Sequence, residues 1–142
     1  MKISDKGLAF IREWEGCKLT AYLDGGGVWT IGVGHTGPEV KRGLTISQFE
    51  ADELLRMDIE DHDISHLLKV ETKQREFDAM CSLAFNIGVK GFAGSTVLKR
   101  HNLRNPIGAA NAFRLWNKDN GRIIKGLINR REAERKLYLG EA

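Results

Sequence analysis

The stretch EGCKLTAYLDGGGVWTIGVGHT, residues 15–36, is hard to reconcile with an all-helical chain. It holds six glycines in 22 positions, three of them consecutive. A glycine inside a helix costs about 1 kcal/mol relative to alanine. Leu19 to Leu23 reads as one strand, residues 25–27 as a turn, and Val28 to Gly34 as a second strand. In that second strand Trp29, Ile31 and Val33 fall on one face, and Thr30, Gly32 and Gly34 on the other. One face is bulky and apolar. The other is nearly bare and carries a single hydroxyl, a pattern expected where a ligand or another backbone comes close.

Helical signals flank this stretch. Ser4 is placed to cap a helix bearing Leu8, Ile11 and Trp14, with Phe10 beside Trp14, and Gly16 ends it. Thr45 and Gln48 predict a capping box, with Leu44 and Phe49 as its hydrophobic staple, for a helix running to about Lys69. Thr72 is expected to cap a further helix with Phe77, Met80, Cys81 and Ala84 on one stripe, ended by Gly88. GFAGS reads as a turn, Val97 to Leu103 as a short helix, and NKDNG as a loop. Asn105 and Pro106 open a helix through Trp116, and Ile128 to Leu139 is the last one. The pattern implies an α+β fold in one domain. About 15–45 form a small antiparallel β lobe, 46–69 a connecting helix, and 1–14 with 70–142 a larger helical lobe. A cleft between two such lobes is the expected ligand site.

Charge divides along the chain. Residues 1–71 carry 8 Lys and Arg against 13 Asp and Glu, whereas residues 72–142 carry 14 against 6. A basic half suits an anionic polymer such as nucleic acid, a lipid surface or cell wall, and equally suits a solvated basic face. No zinc module or nucleic-acid motif accompanies it, so nucleic acid is not the expected partner. The two cysteines, Cys17 and Cys81, are too few for a disulfide framework or a metal site. The first residues carry charges throughout, so neither a signal peptide nor a membrane anchor is expected. Synthesis in the cytosol is expected, and any target outside it then requires another factor.

The acids of the glycine-rich stretch carry the sharper chemistry. Glu15 is followed nine positions later by Asp24 and six after that by Thr30. Glycoside hydrolysis needs two carboxyl groups in unlike surroundings, one protonated and one ionised. Glu15 sits at a helix C-terminus beside Trp14, where the helix dipole favours the protonated form. Asp24 sits at a glycine turn rich in free backbone donors, and Thr30 is positioned to hold a water near it. Solvated surface acids are the competing explanation. Of the four histidines, His62 and His66 lack the glutamate of the H-E-x-x-H metal motif. His35 continues the apolar strand face and is expected to be structural. No G-x-S-x-G nucleophile elbow occurs.

WEGCKLTAYLDGGGVWTIGVGHTG resembles the active-site region of phage-type lysozymes, glycoside hydrolase family 24. FDAMCSLAFNIGVKGFAGSTVL and AFRLWNKDNGRIIKGLINRREAERKLYL are similar to the family's central helices and C-terminal end, so nearly the whole chain is covered. The resemblance implies a lysozyme-like fold and hydrolysis of the β-1,4 bond between N-acetylmuramic acid and N-acetylglucosamine in peptidoglycan. It implies Glu15 as general acid, with Asp24 and Thr30 placing the attacking water. Phe85 and Ser95 match cleft-lining positions around the sugar, Gly32 and Gly34 of the bare strand face are expected to leave room for it, and His35 matches a histidine paired with a helix aspartate, here Asp58. Neither cofactor nor metal is implied, and a monomer is expected. The implied role is host-cell lysis by an endolysin, with a holin or similar permeabilising partner giving access to the periplasmic peptidoglycan. Lys125 stands where many relatives have proline, and Asn129 interrupts a usual arginine run, so the partners of Arg130 and Arg131 remain to be found. A non-catalytic wall-binding module and a lytic transglycosylase are the alternatives.

Overall fold

The computed structural model describes residues 1–141. They divide into two compact units, one of residues 8–62 and one of residues 1–7 with 63–141. Helix α1 (Asp5–Glu15) opens in the second unit and closes in the first. Ser4 caps it, its hydroxyl accepting from the Gly7 amide at 3.0 Å.

The smaller unit is built on one hairpin. Strands β1 (Lys18–Leu23) and β2 (Trp29–Gly32) pair antiparallel, with Tyr22 opposite Thr30 and Leu23 opposite Trp29. Residues 44–46 then add a short third edge to β1. The Ala21 amide donates to the Leu44 carbonyl and the Ile46 amide to the Leu19 carbonyl, both at 2.9 Å. This pairing corrects the expected helix start. Thr45 bridges to Thr20, so the helix begins two residues later than a Thr45 cap would place it. Helix α2 (Gln48–Asp61) is capped by Ser47, which accepts from the Glu50 amide at 3.1 Å while the Glu50 carboxylate takes the Ser47 amide at 3.0 Å. Phe49 consequently staples nothing and is 73% exposed. The helix also stops well short of Lys69. The Asp63 side chain accepts from the Ser65 amide and hydroxyl, and a 3₁₀ turn (Ser65–Leu67) follows.

Gly32 shows why this small sheet can pack closely. It lies at φ +65°, and a side chain there would meet Ala51 and Ile46 at 3.7 to 3.8 Å. The bare strand face is therefore buried: Thr30, Gly32 and the apolar Ile31 and Val33 are all covered. The apolar core of this unit is Leu8, Ile11, Ile31, Val33, Val40, Ala51, Leu55 and Ile59.

The larger unit is helical. Helix α3 (Gln74–Ile87) is followed by α4 (Val89–Ala93), α5 (Thr96–Asn102), α6 (Pro106–Ala112) and α7 (Lys125–Leu139). The expected cap of α3 shifts by one residue: Lys73 occupies the cap position, and its amide donates to the Glu76 carboxylate at 2.8 Å. Every residue from Glu76 to Ala84 is buried, against α7 among others. GFAGS is mostly helix rather than turn, because α4 restarts immediately after Gly88 at φ +91°. The helix from Pro106 ends at Ala112 and tightens into a 3₁₀ turn (Phe113–Leu115). NKDNG is not a loop. It closes a two-residue hairpin of β3 (Lys118–Asp119) and β4 (Arg122–Ile123), with Asn120 and Gly121 at φ +50° and +78°, the left-handed pair of a type I′ turn. The last helix starts at Lys125, three residues earlier than expected.

Two polar clusters lie inside this unit. Glu134, fully buried, accepts from Arg130 Nε at 3.2 Å, from Arg131 Nη2 at 3.3 Å and from the Ser82 hydroxyl at 2.5 Å, and its other oxygen forms an ion pair with Arg131 Nε at 2.8 Å. Arg130 also donates to the Ser82 carbonyl, tying α7 to α3. Burial pushes the Glu134 carboxyl upward against the opposing pull of Arg131, Ser82 and Arg130. The second cluster runs from Tyr138 through His101 to Thr72. Thr72 gives its one proton to the Val70 carbonyl at 3.0 Å, so the His101 Nε2–H donates to Thr72 Oγ1 at 2.8 Å. The other ring nitrogen then accepts from the Tyr138 hydroxyl at 2.6 Å. Elsewhere Asp78 accepts from the Ser4 hydroxyl and from Gln74. It lies so close to Gly7 that a Cβ there would sit 2.7 Å from Asp78 Cγ, which accounts for a glycine inside α1.

Glu134→Leu removes the carboxylate that two buried guanidinium groups face and is expected to lose about 3–5 kcal/mol of stability in denaturant unfolding. A loss below about 1 kcal/mol would contradict the internal pairing. Lys125→Pro is expected to gain about 0.4–1 kcal/mol. It occupies the first helical position and follows an extended Ile124 at φ −115°, ψ 122°, the setting proline prefers. A lowered melting temperature would refute that expectation.

Candidate active site

Asp24 begins the turn between β1 and β2. Its Oδ1 accepts from the amides of Gly26 at 2.8 Å and Val28 at 2.9 Å. Its backbone amide donates to the Val28 carbonyl at 3.0 Å, and Gly27, at φ +79°, donates back to the Asp24 carbonyl at 3.1 Å. The turn thus holds one carboxylate oxygen with two backbone donors while the residue stays exposed. Thr30, one turn of pleat further on, is buried, and its hydroxyl donates to the same Val28 carbonyl at 2.9 Å. The two peptide groups flanking the Val28 side chain therefore fix both residues. With its proton committed, Thr30 Oγ1 can only accept from any further partner.

Glu15 is the last residue of α1, in the same unit as Asp24 and Thr30. Its helix end is anchored one turn earlier. Arg12 donates to Asp52 Oδ1 of α2 at 2.7 Å, and Gln48 donates to the same oxygen at 2.9 Å. That anchor was not read from the sequence, because Arg12 and Asp52 lie 40 residues apart with no shared motif. Glu15 and Trp14 are both exposed. Trp14 packs on Phe10, with ring centroids 6.5 Å apart, so the apolar shelter expected around Glu15 is open to solvent on that side.

His35 is held between two carboxylates. Its Nδ1 lies 2.8 Å from Asp58 Oδ2 on α2, and its Nε2 lies 2.8 Å from Glu39 Oε1. Its backbone also forms both hydrogen bonds of a bridge to Ile31. The pairing with Asp58 matches the expectation, and Glu39 adds a partner the sequence did not signal. Burial alone would depress the imidazole, but the hydrogen bonds and charges of Glu39 and Asp58 outweigh it and raise the pKa above 6.5.

The remaining expected contacts divide between the units. Gly34 is exposed at φ +69°, whereas the room Gly32 leaves within this unit is filled by Ala51 and Ile46. Phe85 is half-buried on α3. Ser95 is buried as the cap of α5, its hydroxyl donating to the Phe92 carbonyl at 2.7 Å and accepting from the Leu98 amide at 3.2 Å. No cluster of three or more His, Cys, Asp or Glu suited to a metal occurs among the described residues.

A mostly helical chain with two small antiparallel sheets, and two acids plus a threonine presented by α1 and one glycine-rich hairpin, is of the lysozyme-like class. Residues 12–134 match the phage lysozyme family, and the chain belongs to it. It is 46% identical to the endolysin of Salmonella phage P22 over 145 aligned positions, covering 98% of this chain and 99% of that one. A crystal structure of a P22 lysozyme mutant superposes with a TM-score of 0.92 and covers the same shares of both chains. The muramidase domain of SpmX from Asticaccaulis excentricus superposes with a TM-score of 0.86 at 35% identity, covering 97% of each chain.

In a proton NMR titration His35 is expected to titrate above 6.5 and His101, whose burial outweighs the charge of Glu76, below it. Reversal of that order would overturn both assignments.

Proposed function

We propose that the chain is a muramidase that hydrolyses the β-1,4 bond between N-acetylmuramic acid and N-acetylglucosamine in peptidoglycan. The observation that supports this most is the pairing of Asp24 and Thr30 through the Val28 backbone, in the same unit as a helix-terminal glutamate. A nucleophilic water must direct a lone pair at the sugar carbon and its two hydrogens at acceptors. Asp24 Oδ2 and Thr30 Oγ1 offer two acceptors, and both residues are held from the protein side. The water oxygen bonds to the anomeric carbon, its proton passes to Asp24, and the glycosidic oxygen leaves with the proton of Glu15. Such a single displacement inverts the anomeric configuration.

Glu15 stands in solvent in the free protein. Bound glycan would exclude that water and bring the glycosidic oxygen to the carboxyl that must protonate it. Gly32, Gly34, Phe85 and Ser95 are proposed on the substrate side. Ser95 would act through the start of α5 that it caps rather than through a free hydroxyl. His35 and Asp58 would hold the hairpin and α2 together.

The biological reading that follows is an endolysin working alone as a monomer on the periplasmic wall of its host. No helix among the described residues is long and apolar enough to cross a membrane. In the endolysin reading, passage from the host cytoplasm to the wall is assigned to a holin or similar permeabilising protein. Lysis should slow at high salt if the basic half steers the enzyme to anionic wall.

Purified protein acting on sacculi is expected to release reducing ends. Glu15→Gln should lower turnover by at least about 10²-fold, within the range for losing a general acid. Asp24→Asn should do likewise with the fold unchanged by circular dichroism. Products ending in 1,6-anhydro sugars would mean a transglycosylase. Sedimentation with sacculi without product release would mean a binding module. Full activity in either variant would remove the two-carboxyl mechanism.

A further inference from the structure

The smaller unit carries an open apolar groove that the proposed chemistry does not use. Its volume is about 360 Å³, and its floor and walls include Ile31, Val40, Leu44, Ile46, Leu54 and Met57. Ile31 faces the opposite side of β2 from Thr30, so the groove lies on the far side of the strand from the expected water site. Neither Glu15 nor Asp24 lines it.

Helix α2 forms one wall and explains why the groove is open. Phe49, Glu53 and Met57 recur at four-residue spacing, with Glu50 and Leu54 one step on, so they share one face. Phe49 is 73% exposed and Met57 55%, large apolar side chains with no staple or core role here. An apolar face ringed by polar groups marks an interaction surface rather than ordinary exterior.

The rim is acidic. Glu39, Glu50 and Glu53 line the groove, and apart from His35, which is held by Asp58 and Glu39, no lining side chain is basic. Along its whole length α2 carries six acids and one arginine, Arg56, which pairs with Glu53 at 3.6 Å. An apolar floor under three carboxylates complements a cation on an apolar stem. The helical spacing of the wall suits a partner presenting side chains at the same intervals. Met57 adds a side chain able to adapt to different occupants.

We propose that this groove docks a basic amphipathic helix of a partner polypeptide, apolar face down, with Lys or Arg side chains reaching Glu39, Glu50 and Glu53. The docked helix would hold the enzyme through the face of the small unit turned away from the hydrolytic residues, leaving these free to act.

The test uses the full chain and a synthetic amphipathic helix of leucine and lysine, followed by calorimetry and by amide chemical shifts. Saturable binding is expected, with shifts concentrated at residues 31, 39–57. Glu53→Lys and Met57→Lys should each weaken binding about tenfold or more, since one opposes the rim charge and the other fills the floor. Both must keep wild-type circular dichroism and wild-type hydrolysis of sacculi. A matched peptide of leucine and glutamate should not bind. Absence of binding, shifts elsewhere, equal binding of the acidic peptide, or insensitivity to both substitutions would overturn the proposal. Concentration-dependent self-association of the chain, abolished by the same two substitutions, would assign the groove to a second copy and overturn it equally.

Discussion

The backbone flanking the Val28 side chain is the constraint on which the proposed site depends. The Val28 amide is held by the Asp24 carboxylate, and its carbonyl accepts from both the Asp24 amide and the Thr30 hydroxyl. One residue of a surface turn thus fixes an acid and a hydroxyl that are six positions apart. The hydroxyl proton is committed to the Val28 carbonyl, which leaves the oxygen able only to accept. The three consecutive glycines serve this closure. Gly26 donates to the carboxylate, and Gly27 takes a positive φ that other residues adopt at a cost. The turn is closed by backbone and side-chain hydrogen bonds together.

In the larger unit the governing interaction is different in kind. Glu134 neutralises two arginines inside the helical packing. Burial of a single such carboxylate is tolerable only because its partners arrive from its own helix, three and four residues away, with Ser82 closing the remaining side. This changes the meaning of the basic C-terminal half. Arg130 and Arg131 are among its formal charges, yet neither faces solvent. The surplus available to an anionic wall comes instead from exposed residues such as Lys118, Arg122, Lys125 and Lys136.

Element types were largely legible in the sequence, and their ends were not. The α1 cap at Ser4 and the strands around residues 25–27 depend on neighbours within a few positions, so local rules suffice. The start of α2 depends on Thr45 pairing with Thr20, 25 residues away, and nothing local announces it. Thr45–Gln48 and Ser47–Glu50 both satisfy the capping pattern, and the sheet decides between them. The hairpin at 118–123 was hidden for another reason. Its Asn120-Gly121 turn is a strong signal, but its two-residue strands show no alternation to accompany it. For the site, Glu15, Asp24, Thr30 and the His35–Asp58 pair were all named from spacing and resemblance. The Arg12–Asp52 anchor and the third partner Glu39 were not, since side-chain pairing across elements leaves no periodic trace.

The two structural histidines show how similar residues come to oppose one another. His35, raised by two carboxylates, binds a proton more tightly in the folded chain than in the unfolded one. Its contribution is therefore full below about 6.5 and is lost as pH rises through its higher folded pKa. Glu39, lowered chiefly by its bond to His35, adds stability that is present above its unfolded pKa and lost as pH falls through the folded one. Together they favour the small unit at mildly acidic pH. His101 behaves in the opposite sense. Burial holds it neutral, so its contribution is full above about 6.5 and is lost as pH falls through its depressed folded pKa. Acidification from neutrality thus supports one unit while loosening the other. That difference follows from a single contrast: His35 faces two carboxylates, and His101 lies between a tyrosine and a threonine.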